Sequence, residues 1–165
     1  MSVPSDIYSI IANIYHRLGE LERRFQNKER TGIVVEADYE KGLYRVQLLE
    51  SDGSGKPYLT PWIPLREAAA GSNKTHFPLS IGEQVCVVSQ SGDLSDAEIS
   101  HSLACSSNPR PSNKGDEYIL SQVGPFELRV SDGGQTAFIK VGSTSLKMTE
   151  GKFEVRSPNV EFIKS

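Results

Sequence analysis

The sequence predicts an all-β protein with a single helix at its N-terminus, on three observations. An apolar seam recurs at helical spacing between Ser5 and Asn27. From Arg30 to about Ala104, short runs alternate apolar and polar residues between Gly, Pro and Asp turn signals. From Tyr118 the same alternation continues in shorter runs, and no amphipathic stretch follows that could lay a helix on them. The expected organisation is an N-terminal helix in 1–29, a barrel in 30–106, a linker in 107–117 and a repetitive β segment in 118–165.

The helix comes first. Ile7, Ile11, Ile14, Leu18, Leu21 and Phe25 follow one another at spacings of 4, 3, 4, 3 and 4, with Pro4 and Ser5 placed to start the helix. Isoleucine or leucine fills five of these six positions, a composition compatible with a parallel trimer. A helix this short is marginal alone, and Gly19 costs it about 1 kcal/mol relative to alanine. Two uses of the seam stay open at this level: association with copies of itself, or docking on its own domain or on another protein.

Five strands follow. "TGIVVEA" and "LYRVQLL" flank "DYEKG", where Gly42 supplies the positive φ of a hairpin turn. "TPWIPL" carries prolines at 61 and 64, which confine it to a sheet edge or a barrel seam. A long connection leads to "QVCVVSQ", and the turn "SGDLSDA" leads to "EISHSLA". Five short strands with one long excursion between the third and fourth suit a small Greek-key barrel of the OB type. "CSSNPRPSNKGDE" is a proline- and serine-rich linker.

In the last segment Ala137, Ile139 and Val141 alternate with Phe138 and Lys140, Leu146 and Met148 flank Lys147, Phe153 and Val155 flank Glu154, and Val160 and Phe162 flank Glu161. Some 48 residues of short strands bury too little apolar surface to offset an ordering cost of about 1 to 2 kcal/mol per residue. Cover from elsewhere is required. Strands of near-constant length would suit several identical chains winding about one axis, their edges paired by neighbours. The alternative is a flat sheet folded back on the barrel.

Composition narrows the function. Lysine and arginine number 18 against 21 acidic residues, for a net charge of −3, which gives no general attraction to a phosphate backbone. No apolar run reaches the ~18 residues of a membrane span, and the N-terminus lacks the pattern of a signal peptide, so synthesis and assembly in the cytoplasm are expected. Cys86, in "QVCVV", reads as a buried small hydrophobe, and with Cys105 it is too few for a cysteine zinc site.

Candidate chemistry fails position by position. "GSGK" at 53–56 lacks the upstream glycine of a phosphate loop, and Pro57 stands where a magnesium-ligating hydroxyl is needed. His16, His76 and His101 have no companions at metal-ligand spacing. Asp93 and Asp96 read as turn formers and solvated charges. Trp62 and Phe77 read as barrel core or interface anchors rather than base-stacking platforms. No catalytic residue, metal or cofactor is expected.

The order of several motifs resembles the baseplate assembly protein V family, the central spike proteins of contractile phage tails and tail-like bacteriocins. The residues that carry the resemblance are Arg30, Gly32 and Val34; Trp62 and Gly71; Pro78, Gly82, Glu83 and Val85; Gly92, Asp93 and Ala97; and Asn108 with Pro109. It extends over residues 20 to 112. What it implies is a homotrimer in the virion tail baseplate: a helical segment, an OB barrel under the tail hub protein, and an intertwined trimeric β-helix that pierces the host outer membrane. Its axis would carry Ile139, Val141, Leu146, Met148, Phe153, Val155, Val160 and Phe162. Spikes of this kind commonly end in an iron-binding His-x-His tip, whereas no histidine follows His101 here. A separate PAAR-like tip protein contacting Phe162 and Ile163 is therefore expected. The competing readings are an OB module that binds nucleic acid or oligosaccharide and a tail-associated hydrolase.

Overall fold

The structure is a computed structural model that describes residues 6–51 and 55–161. The chain divides into two units, Met1–Asn108 and Pro109–Ser165.

The first unit opens with α1 (Ile7–Gln26). Its N-cap is Asp6, one residue past the expected Ser5, because the Asp6 carboxylate accepts from the otherwise orphaned amides of Tyr8 at 2.9 Å and Ser9 at 3.0 Å. The barrel strands are β1 (Glu29–Asp38), β2 (Leu43–Ser51), β3 (Pro57–Leu59), β4 (Ile63–Pro64), β5 (Gln84–Val88) and β6 (Glu98–Ser102). Strand β1 pairs antiparallel with both β2 and β5, β5 pairs with β6, and β2 pairs with β3 and β4. A parallel bridge between Leu65 and Ile99, with the Arg66 amide donating to the Ile99 carbonyl at 2.8 Å, closes the ring. That connectivity is OB-like.

Of the predicted strand "TPWIPL" only Ile63 and Pro64 form a strand, β4, and β3 arises just before it. Thr60, between the two and fully buried, accepts from the Val46 amide at 2.9 Å through its hydroxyl in place of a ladder carbonyl. Pro61 lies between β3 and β4 and Pro64 ends β4, as a seam allows. Gly42 turns the β1–β2 hairpin at φ 66°. Val34, Val46, Leu48, Ile63, Val85, Val87 and Ile99 form the core, closed by Tyr44 and Leu79. Trp62 and Phe77 are not in it. They are 44% and 66% exposed, because Ile63 takes the inward position and alternation turns Trp62 out, over the Arg45 guanidinium at 5.9 Å.

The second unit is a five-stranded antiparallel meander: β7 (Tyr118–Val123), β8 (Phe126–Ser131), β9 (Thr136–Val141), β10 (Thr144–Thr149) and β11 (Lys152–Arg156). Each strand pairs with the next along the chain. The ladders of β8, β9 and β10 are therefore filled on both sides by the chain's own strands, where the sequence reading had left edges for neighbouring chains. Val160 lies outside any strand, and Phe162 and Ile163 lie outside the described residues.

Gly32 marks the tightest point of the barrel. A Cβ there would sit 2.4 Å from Val46 Cγ1 and 2.7 Å from the Gln47 carbonyl oxygen. Gly32→Ala is expected to destabilise the first unit by about 1 to 3 kcal/mol through overpacking, read as a lowered urea midpoint.

Candidate assembly surfaces

Strand register sorts the side chains of the second unit onto two faces. One face carries three rows that run across the strands. The first is Tyr118, Val130, Ala137, Met148 and Phe153; the second is Ser121, Leu128, Ile139, Leu146 and Val155; the third is Val123, Phe126, Val141 and Thr144. Six of the eight residues expected on a common axis, Ile139, Val141, Leu146, Met148, Phe153 and Val155, fall in these rows. Val123 is 70% exposed and Phe153 63%. Among the described residues of 109–165, Thr136 alone is buried; Leu128, Ile139 and Leu146 are half-buried, so no apolar side chain of this unit is fully removed from water by the chain itself.

The opposite face is charged and internally matched. Glu127 stands opposite Lys140, and Lys147 opposite Glu154. The Arg129 guanidinium reaches Glu117 at 2.9 Å and Glu127 at 3.2 Å while lying 4.8 Å over the Phe138 ring. Glu154 is bonded to Lys152 and lies 3.7 Å from Arg156, and the Lys152 contact holds its carboxyl below the usual range. Charges of both signs suit this face to water, although Glu127 Oε1 and Arg129 Nε, an ion pair, are buried without a hydrogen-bond partner among the described residues. The apolar face has no such fit to water.

The first unit presents a second uncovered surface. Ile7, Ile11, Ile14, Leu18, Leu21 and Phe25 are all exposed on α1, and no residue of the helix is buried. The barrel holds α1 only near its C-terminal end. Arg23 pairs with Asp93 at 3.1 Å, and Gly92, at φ 79°, lies against the Arg24 backbone, where a Cβ would come within 2.7 Å of the Arg24 Cα. Asp93 is thus a solvated charge that also pairs with α1, a role invisible to local sequence because Arg23 lies 70 residues away. Asp96 accepts from the Ser91 amide at 2.9 Å and from the Ser89 hydroxyl, which holds the same turn in shape and its own carboxyl below the usual range.

The motif residues solve local problems of the same kind. Glu83 accepts from the Ser80 amide at 2.8 Å and from the Ser102 hydroxyl, while the Gly82 amide donates to the Val34 carbonyl at 2.8 Å and the Glu83 carbonyl accepts from the Val34 amide at 2.9 Å. Tyr39 and Tyr44 pin the long connection through the Leu79 carbonyl at 3.2 Å and the Leu79 amide at 3.3 Å. Asn108 ties the end of the barrel to the Gly82 carbonyl at 3.3 Å. Arg30 is buried, and its Nε has no partner among the described residues.

Comparison with known families matches residues 30–103 to the type VI secretion system/phage-baseplate injector OB domain. The barrel belongs to the phage baseplate assembly protein V family. Over 104 residues the chain is 34% identical to the "Spike protein" of Escherichia phage P2, an overlap of 63% of this chain and 46% of that protein. The chain therefore spans about half the length of the relative it matches. Placed in this frame, the injector OB domain carries no group of three His, Cys, Asp or Glu side chains among the described residues. His16 and His76 are exposed, and His101 Nδ1 shares a 2.8 Å hydrogen bond with Ser100. Cys86 is buried with its thiol 3.3 Å from Glu29, and burial pushes it up.

Glu20 knits the anchored end of α1, accepting from Arg23 Nε at 2.9 Å and Arg24 Nε at 2.8 Å. These bonds, the Arg23 one foremost, lower its carboxyl from 4.5 to about 2. A depressed carboxylate contributes stability that is present above its unfolded value and lost as pH falls through the folded one. Helicity at 222 nm is expected to fall as pH drops from about 4.5 towards 2, and to fall less in Glu20→Gln, where Asp6 at the N-cap accounts for the remainder.

Proposed function

We propose that the chain is a structural, non-enzymatic subunit of a contractile-tail baseplate in the virion: a homotrimeric central spike. Its injector OB barrel seats on the tail hub protein, and its C-terminal sheets form a needle that contraction drives through the host outer membrane. The observation that carries this reading is the apolar face of the second unit, three rows wide and uncovered by its own chain. The family of the barrel and the phage P2 relative point the same way.

The inner strands β8, β9 and β10 have no free ladder groups and the uncovered apolar rows lie on one face, so copies join through that face. Three sheets turn the rows centred on Ile139 and Leu146 towards a common axis and leave the Glu127, Arg129, Lys147 and Glu154 faces in water. The result is a prism in which backbone hydrogen bonds run along the needle and a dry core runs through it. Stiffness is what such a device needs. The force comes from contraction, so no reactive group is required at the membrane.

The purified chain is expected to sediment at three times its 18.2 kDa mass with the friction of a slender particle. Leu146→Asp, in the middle row, should convert it to monomer, while Lys147→Asp, one residue on and on the opposite face, should leave the trimer intact. A monomeric wild-type chain refutes the reading.

A further inference from the structure

The seam of α1 is uncovered although the helix is attached to its barrel, and the attachment itself shows why. With Ile11, Leu18 and Phe25 as a positions and Ile7, Ile14 and Leu21 as d positions of a heptad, Arg23 falls at f, the position farthest from the seam. Its ion pair with Asp93 therefore holds the helix from behind. Phe25 is 80% exposed only two residues away. The arrangement excludes the reading in which the seam docks on its own barrel.

The same frame places Arg17 at g and Glu22 at e. Five residues apart, they lie on opposite flanks of the seam and cannot reach each other along one helix, where only residues three or four apart meet. Neither makes an ion pair among the described residues, whereas their neighbours do: Glu20 takes Arg23 and Arg24. In a parallel, in-register coil, the g residue of one strand meets the e residue five positions later on its neighbour. Arg17 then meets Glu22 of another copy. One heptad earlier, Ile10 at g meets Tyr15 at e, an apolar pair whose members are both exposed in the single chain. An antiparallel coil would set g against g and bring Arg17 and Arg24 towards arginines.

We propose that α1 pairs with the α1 helices of two further copies of this chain in a parallel, in-register three-stranded coil, with Arg17 of each strand bonded to Glu22 of the next. The stoichiometry rests on the trimer proposed above, and isoleucine at both a and d positions in the first turns favours three strands over two. Two and a half heptads are marginal as a free peptide. Joined to a trimer formed elsewhere in the chain, the helices meet at an effective concentration in the millimolar range, which suffices for a weak coil.

The test uses the full chain with Cys105→Ser, which leaves buried Cys86 as the remaining native thiol. Adding Arg17→Cys and Glu22→Cys together, followed by a short bismaleimide, should yield covalent trimer on a denaturing gel; either substitution alone should yield little. Arg17→Glu should lower the midpoint of the 222 nm melt, and adding Glu22→Arg should restore it. A sedimenting trimer that stays unlinked in the double-cysteine chain overturns the coil and leaves the spike reading standing. Equal losses in Arg17→Glu and in the charge-swapped pair also overturn it. A chain that sediments as a monomer overturns both proposals.

Discussion

A single-layer sheet has two faces, and water suits only one of those in the second unit. The ladders of the three inner strands are satisfied within the chain, with β7 and β11 as the sheet's edges, and the side chains sort into a face of charges and a face of Leu, Ile, Val, Met and Phe. Backbone hydrogen bonding and apolar burial, which most domains meet together, are separated here: the inner strands meet the first, and the apolar face leaves the second open. At about 25 cal/mol per Å² of apolar surface removed from water, that open face is a source of stabilisation the single chain does not use.

The barrel shows the contrasting solution. By curling β1 through β6 until Leu65 meets Ile99, it turns one face of a sheet onto itself and buries Val34, Val46, Val85 and Ile99 without outside help. The family motifs belong to this closure. Gly32 lets β1 and β2 approach, Glu83 and Gly82 lock the entry to β5, and Asn108 fastens the exit. None of these residues needs to act on a substrate to matter. Gly92 and Asp93 extend the same logic outward, because they hold α1 by the side that leaves its apolar seam free.

Much of this was legible from residue order. The period of the seam marked α1, the Gly42 turn marked the first hairpin, and period-two alternation marked β9, β10 and β11 together with the side chains that share a face. Other features were hidden for identifiable reasons. Of the two places open to Trp62, core or interface anchor, the core is ruled out because the inward position belongs to Ile63 by alternation. The pairing of Asp93 with α1 was hidden because its arginine partner is 70 residues distant. Strand β3, just ahead of the predicted "TPWIPL", and the Thr60 hydroxyl that stands in for a carbonyl beside it are announced by no pattern of apolar residues. Val160 continues the alternation on paper without joining a strand, since period alone supplies no partner.

What residue order by itself determined was the type of each element and the face on which its apolar side chains lie, because both follow from the rise and rotation of the backbone over a few neighbouring residues. Only the tertiary structure decided which strands pair, and hence that β8, β9 and β10 have no edge to offer and that the three apolar rows align. It also decided which side of α1 is held against the barrel. These outcomes depend on groups tens of residues apart meeting in space, and no local period encodes such a meeting.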